Sequence, residues 1–331
     1  MPNPYISGTG FYLPPRIVTN DELSSYMDTT DEWIQERTGI KERRYVEKGV
    51  GPSDLAIPAT EQALKAAGLT VSDIDFIIFA TSTPDFYAPG SGCVLQEKMG
   101  FNEIGALDIR VQCSGFIYGL SIAEQYIRTG NFKNILLIGA EVQSTAMNLT
   151  DEGRDTAIIF GDGSGAAIIS ATEENKGILS THMHSEGKYL KELWLEAPAS
   201  NAGHPRITRE VLDEGKQYLK MNGKEVFRHA ITRFPEVINE ALEANNLTSE
   251  NINLLIPHQA NLRITQMVQK RLGLSNDQVF SNIHKYGNTT AATIPIALAE
   301  AFNEGRIKEG DILVLAAFGA GFTWASAIMK W

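Results

Sequence analysis

The sequence predicts a layered α/β protein made of two copies of one βα unit, and three observations carry that reading. Strand-like apolar runs alternate with amphipathic helical segments joined by short loops along the whole chain. Residues 63–80 (ALKAAGLTVSDIDFIIFA) align without a gap on residues 241–258 (ALEANNLTSENINLLIPH), sharing Ala, Leu, Ala, Leu, Thr, Ile and Ile in register. The length, 331 residues, is long for one core and suits a duplicated pair. The expected division is 1–172 and 173–331. Two facing halves would bring equivalent helix starts together at a pseudo-twofold axis.

Taken in order, residues 4–18 read as a strand followed by a Pro-Pro turn, and 20–44 as a helical region capped by Asn20 or Asp21. A helix follows over Ser53–Ala67. The strand IDFIIFAT at 74–81 is apolar throughout, which predicts burial on both faces. A proline-rich loop, STPDFYAPGSG, leads to a helix around Cys93. The alternation Leu107, Ile109, Val111 predicts a strand, and Phe116, Leu120, Ala123 and Ile127 predict an amphipathic helix ending near Gly130. NILLIGAEV at 134–142 reads as another buried strand. TAIIFGDGSGAAIIS at 156–170 reads as a hairpin turning at Asp162-Gly163. The second half answers with VFSNI, a helix opening after Asn288, and DILVLAAFG. Pro295 is compatible with a helix beginning near Ile294 or with a kinked one.

Composition narrows the function classes. A net charge of −11 argues against nucleic-acid binding. No apolar run is long enough to span a bilayer, so no membrane partner is expected. Two cysteines without a CxxC, and an N-terminal stretch lacking a charged segment before an apolar one, predict a reducing cytoplasm. His182 and His184 share one strand face but find no third ligand at sensible spacing, so no metal is expected. GDGSG at 161–165 precedes a strand-like AAIIS where a dinucleotide fingerprint requires a helix, and reads as a turn near the site.

Three polar residues end strands or open helices: Cys113 and Asn288 are expected at matching places in the two halves, and His258 at the end of the strand that matches IDFIIFA. At a helix start the free backbone N–H groups and the dipole favour a thiolate, so Cys113 reads as a nucleophile, with a buried structural cysteine as the plain alternative. His258 reads equally as a structural strand-end residue, and Asn288 as a helix cap. Their convergence favours catalysis.

Six stretches, DEWIQERTGI, QCSGFIYGL, IIFGDGSGA, IPHQANLRI, YGNTTAATIP and FGAGFTWAS, stand in the order and combination found in another family. Over essentially its whole length the chain resembles the β-ketoacyl-acyl-carrier-protein synthase III family of thiolase-fold condensing enzymes. That resemblance implies two βαβαβαββ halves in an αβαβα arrangement. It also implies a homodimer, no cofactor beyond coenzyme A thioesters as substrates, and initiation of fatty-acid synthesis from an acyl-CoA and malonyl-acyl carrier protein. The triad maps onto Cys113, His258 and Asn288, with Cys113 carrying the acyl group and His258 Nε2–H and the Asn288 amide stabilising an enolate. The oxyanion hole maps onto the N–H groups of Cys113 and Ala320. Here FGAG stands where the family often has three glycines, and the added Cβ is expected to narrow the pocket floor.

By the same resemblance Trp33 and Arg37 flank adenine, Arg154 lies near the phosphates and Asn261 along the pantetheine arm. Without it, Trp33 and Arg37 read as a helix-surface pair. Arg228, Arg263, Lys270 and Arg271 form a local basic face suited to acyl carrier protein, or a set of solvated helix charges. Ala88 falls where acetyl-selective members carry a bulky aromatic, which makes longer primers plausible, although Phe86 and Tyr87 are close by. A specialised condensing enzyme with a longer, branched or aromatic primer is therefore the main rival, and a non-catalytic homologue another. Thiolase would need a second active cysteine, for which Cys93 comes too early, and hydroxymethylglutaryl-CoA synthase a Glu in place of Asn288.

Overall fold

Two mixed sheets, each covered by helices on both faces, make up the protein. The computed structural model describes the backbone of residues 1–331 and every side chain except that of Ala202. The first sheet runs Asn3–Tyr12, Gly163–Thr172, Asn134–Glu141, Phe76–Ala80, Gly105–Ile109 in spatial order. Phe76–Ala80 pairs in parallel with both its neighbours, whereas Gly163–Thr172 is antiparallel to both of its own. The second sheet repeats the order with Gly177–Ser185, Thr323–Lys330, Ile312–Gly319 and Leu254–Pro257. Its fifth strand is reduced to a single bridge between Leu255 and Val279.

The helices Gly115–Arg128 and Thr293–Asn303 lie between the sheets, in a core that joins Phe116, Leu120 and Leu298 to Leu137 of one sheet and Leu315 of the other. Burial of each such side chain contributes about 1.5–3 kcal/mol, so this middle layer holds the two sheets together. Pro52–Ala67 and Ser91–Met99 cover the outer face of the first sheet, and Gly223–Ala244 and Leu262–Leu272 that of the second. The result is the expected five-layered thiolase-like arrangement.

The repeat extends well beyond the aligned stretch, at a constant separation of 178 positions. Gly68 and its counterpart Asn246 both end their helices in the left-handed region, at φ 68° and 54°. Thr70 N donates to Asp73 Oδ2 and Thr248 N to Asn251 Oδ1, each at 2.8 Å, so the same capped turn enters both central strands. Asn134–Glu141 and Ile312–Gly319 keep that separation. So do the left-handed residues Gln112 and Thr290 and the helix starts Gly115 and Thr293. In this register His258 matches Ala80 and Cys113 matches Ala291. Asn288 therefore does not occupy the place equivalent to Cys113; it lies three residues earlier, in the turn before the matching helix.

Two other expectations are corrected. Residues 156–170 form no hairpin: Arg154–Ala157 is a short helix, Phe160 makes only an isolated bridge to Asn288, and the strand begins at Gly163. Residues 20–44 contain two helices, Asn20–Ser24 capped by Thr19 and Asp31–Thr38 capped by Thr30, followed by the strand Glu42–Tyr45. The Thr30 hydroxyl accepts from Trp33 N at 3.2 Å and Gly39 ends the helix at φ 77°, which fixes where Trp33 and Arg37 stand.

Behind the second of these helices Arg43 is fully buried without a carboxylate partner. Its guanidinium donates to Val18 O at 3.2 Å, Asn20 Oδ1 at 2.8 Å and Ile158 O at 2.8 Å. Burial draws its pKa down to about 10, so it stays charged at neutral pH. The bond to Ile158 ties the N-terminal segment to the chain that holds Asn288. Arg43→Met is expected to cost about 3 kcal/mol, because three buried acceptors lose their donor; urea denaturation measures it.

Candidate active site

Cys113 occupies a single turn of 3₁₀ helix, Gln112–Ser114, between the strand Gly105–Ile109 and the helix Gly115–Arg128. Gln112 takes φ 44°, a conformation that costs a non-glycine residue about 1–3 kcal/mol and that surrounding packing must hold. Gly319 passes against the nucleophile: a Cβ there would lie 2.5 Å from Cys113 Cβ and 2.9 Å from Sγ, so any larger residue would force Cys113 or its neighbours to shift. The next residue, Ala320, packs against the core of the second sheet. The backbone N–H groups of Ala320 and of Cys113 itself point to the sulfur.

Burial, followed by the nearby Glu141 carboxylate, pushes the Cys113 thiol up to about 12. The expectation that the helix start favours a thiolate is therefore outweighed at rest. A helix terminus is worth about 1 kcal/mol, less than one pKa unit, too little to offset desolvation. Glu141 ends the strand Asn134–Glu141 and accepts from Ser82 Oγ at 2.8 Å, Thr83 Oγ1 at 2.9 Å and Gln143 Nε2 at 3.2 Å. Burial still lifts its pKa to about 7. Nothing in the sequence pattern singled it out.

His258 directly follows the strand Leu254–Pro257, its N–H bonded to Ala316 O at 2.8 Å. Nδ1 lies 2.6 Å from Thr293 Oγ1, while Nε2 is buried without any partner. Desolvation brings the ring's pKa down to about 3, so it is neutral at working pH. An unfolded histidine titrates near about 6.5, so between those values the unfolded state binds more protons. The stability from this group is complete above about pH 6.5 and is lost as pH falls toward 3. His258→Gln is expected to remove up to about 1.4 kcal/mol per pH unit of that acid sensitivity, read from denaturation midpoints at a series of pH values.

Asn288 is held by its backbone. Its N–H donates to Ile159 O at 2.9 Å and its carbonyl accepts from Gly161 N at 3.0 Å, so GDGSG braces this turn. The side-chain Oδ1 accepts from Thr290 N at 2.8 Å, which leaves the Nδ2 donors for the pocket. Cys113, His258 and Asn288 line one pocket of about 110 Å³, and each is 5% exposed or less. Its walls include Met221, Phe227, Ala230, Phe234, Ile264 and Phe318. The sequence reading missed these, because Phe227, Ala230 and Phe234 form a helical stripe indistinguishable from core packing.

Asn261 also lines this pocket; its Oδ1 accepts from Arg263 N at 2.9 Å and its Nδ2 donates to Arg37 O at 3.0 Å. The guanidinium groups of Arg37 and Arg154 lie 4.3 Å and 4.7 Å from the centroid of the Trp33 ring, so these three expected residues do come together. Arg154 Nη1 also donates to Asp28 O at 2.7 Å. Of the basic residues, Arg263 sits over Phe227 at 5.7 Å and Arg228 pairs with Glu225 at 2.6 Å. Lys270 and Arg271 are exposed at the far end of Leu262–Leu272.

In the single chain Ala88 is exposed and lies outside this pocket, and Phe86 and Tyr87 beside it are 58% and 68% exposed. Ser82 and Thr83 at the base of this loop are anchored on Glu141. Glu240 bridges His182 Nδ1 at 3.2 Å and His184 Nε2 at 2.6 Å, a pairing across elements that spacing could not reveal. Among the described residues no group of three or more candidate ligands could hold a metal ion.

Comparison with known proteins agrees with this geometry. The profile of 3-oxoacyl-(acyl-carrier-protein) synthase III matches residues 107–187, and that of the C-terminal part of the same enzyme matches residues 242–331. The β-ketoacyl-acyl-carrier-protein synthase III of Caldanaerobacter subterraneus is 47% identical over 326 residues, covering 98% of this chain and 97% of its own. The chain belongs to the β-ketoacyl-acyl-carrier-protein synthase III family. It is thus an acyltransferase of the condensing type. The synthase III from Clostridioides difficile is 46% identical over 98% of both chains. The crystal structure of the synthase III from Aquifex aeolicus superposes with a TM-score of 0.90 at 40% identity, over 99% of this chain and 100% of the other. The priming β-ketosynthase of the R1128 polyketide pathway has the same fold, with a TM-score of 0.91, but only 29% identity over 99% and 96% of the two chains. The synthase III relatives are favoured over the specialised rival.

Proposed function

We propose that the chain transfers an acyl group from coenzyme A to Cys113 and condenses it with malonyl-acyl carrier protein, initiating type II fatty-acid synthesis. One observation carries this reading: a buried cysteine, a neutral histidine with an unpartnered nitrogen and an asparagine with free amide donors share one pocket. In the first step the Cys113 sulfur attacks the thioester carbonyl, the resulting oxyanion is held by the N–H groups of Cys113 and Ala320, and coenzyme A leaves with the thiol proton. In the second, the malonyl carboxylate departs as CO2, and the enolate oxygen is stabilised by Asn288 Nδ2 and His258 Nε2. The enolate carbon then attacks the acyl thioester, releasing the Cys113 sulfur and a 3-oxoacyl-carrier product.

Each group suits its part physically. A neutral imidazole and an amide can face a developing negative charge without first neutralising it, and in a desolvated pocket their dipoles are worth more than in water. The apolar wall of Phe227, Ala230 and Ile264 suits the pantetheine arm along Asn261, with Trp33, Arg37 and Arg154 at its outer end for adenine and phosphates. Trp33→Ala is therefore expected to raise KM for the acyl-CoA about tenfold and to leave kcat within twofold, measured by initial rates.

Arg228, Arg263, Lys270 and Arg271 would meet the acidic carrier protein. Division into halves at 172 and 173, a homodimer, cytoplasmic location and activity without any metal complete the reading. Incubation with acetyl-CoA and malonyl-acyl carrier protein tests it: the expected products are 3-oxoacyl-carrier protein, CoA and CO2 in equal amounts, and their absence rejects it.

A further inference from the structure

Asn288 and His258 serve one oxyanion from separate segments, so the space between them has to be held by the fold. We propose that Glu300 is a positioning residue, whose buried carboxylate holds the arch 282–286 leading into Asn288 and so sets where that amide stands relative to His258. The inference deepens the condensing-enzyme reading above and rests on it.

Glu300 stands two turns into the helix Thr293–Asn303 and is 8% exposed. Its Oε2 accepts from Asn282 Nδ2 at 2.7 Å, and its Oε1 from Lys285 Nζ and Tyr286 OH, each at 2.9 Å. Asn282 precedes and Tyr286 ends the single helical turn Ile283–Tyr286, so one carboxylate grips both ends of it. A helix of four residues has too few internal bonds to hold itself in place, and the carboxylate supplies what the local sequence lacks. Gly287 then turns the chain at φ 66° and Asn288 follows. The arch is also fixed from the histidine side. Gln259, buried beside His258, accepts from Asn282 N at 3.2 Å and Ser281 Oγ at 3.0 Å through Oε1, and donates from Nε2 to Pro257 O at 2.6 Å. The helix that carries Glu300 begins against the ring itself, with Thr293 Oγ1 2.6 Å from His258 Nδ1. One helix therefore meets His258 at its first turn and the approach to Asn288 two turns on. Cys113 and the Gly319–Ala320 turn take no part in these bonds, so the network bears on condensation and not on acylation.

Glu300→Gln keeps the side chain's size but leaves one acceptor oxygen where three donors converge. It is expected to lower kcat for condensation by pre-acylated enzyme about tenfold, with KM for the malonyl thioester and the rate of acylation by acetyl-CoA both within twofold. In the Asn288→Ala background the same change is expected to lower condensation by less than twofold, because the amide it positions is gone. A residue that merely stabilises the fold would slow both half-reactions and act alike in either background. Equal loss of acylation and condensation, condensation by Glu300→Gln at the wild-type rate, or a full tenfold effect on top of Asn288→Ala overturns the proposal. Tyr286→Phe removes one donor from the same network and is expected to show the same split at about threefold, and it decides the matter should Glu300→Gln fail to fold. Wild-type enzyme that neither takes an acyl group nor condenses removes the functional reading, and this proposal with it.

Discussion

Cys113→Ser is expected to abolish covalent acylation and to lower condensation by on the order of 10⁴-fold or more. The serine hydroxyl would stand in the same cage, under Gly319 and facing the Ala320 amide, so the fold is undisturbed. What changes is the nucleophile. Even in a pocket that pushes the thiol up to about 12, a thiolate is far more accessible than an alkoxide. Single-turnover transfer from radiolabelled acetyl-CoA measures the effect. Gly319→Ala serves as a companion, because a Cβ 2.9 Å from Sγ must displace the nucleophile without touching its chemistry.

Asn288→Ala has the second largest expected effect and separates the two half-reactions. Acylation depends on the Cys113 sulfur and on backbone N–H groups, so it stays within about threefold. Condensation loses a donor aimed at the enolate and falls by about 10²–10³-fold. The change also removes the bond from Thr290 N to Oδ1, worth about 1 kcal/mol, so the melting temperature should drop only slightly. Rapid-quench acylation and release of labelled CO2, measured on the same preparation, report the two steps separately. Loss of acylation along with condensation would overturn the division of roles.

How far this site could be read from sequence depended on the length scale of each signal. The duplication was visible because a helix end, a capped turn and a buried strand all constrain residue type, so 63–80 and 241–258 kept matching side chains. Its full extent was hidden, because Gln112 and Thr290 share a backbone conformation and not a residue type. For the same reason the strand and helix pattern alone pairs Asn288 with Cys113, a place that belongs to Ala291. Cys113, His258 and Asn288 stood out because polar residues at the ends of apolar runs are unusual. The Trp33, Arg37 and Arg154 group needed a family resemblance, since a Trp and an Arg four residues apart look like any helix surface.

Other features depended on pairings between distant segments, which no local pattern encodes. The hairpin expected at 156–170 rested on two apolar runs flanking Asp-Gly. The first of them instead supplies Ile159, whose carbonyl holds Asn288, and Arg43 reaches the same chain at Ile158 from more than a hundred residues away. Alignment on a proline is all that links Ala88 to the acyl pocket, and in the single chain it is exposed on a loop whose base is anchored on Glu141. The thiolate expected at a helix start failed on magnitude, because a dipole worth about 1 kcal/mol competes with complete desolvation.

Intact-protein mass spectrometry after mixing the chain with acyl-CoAs from acetyl to dodecanoyl, branched and aromatic ones included, followed by peptide mapping, tests the central claim most directly. The account predicts one acyl group per chain, on the peptide that contains Cys113, formed mainly from acetyl-CoA and absent in Cys113→Ser. No adduct with any acyl-CoA, or an adduct on exposed Cys93 that persists in that variant, would contradict it.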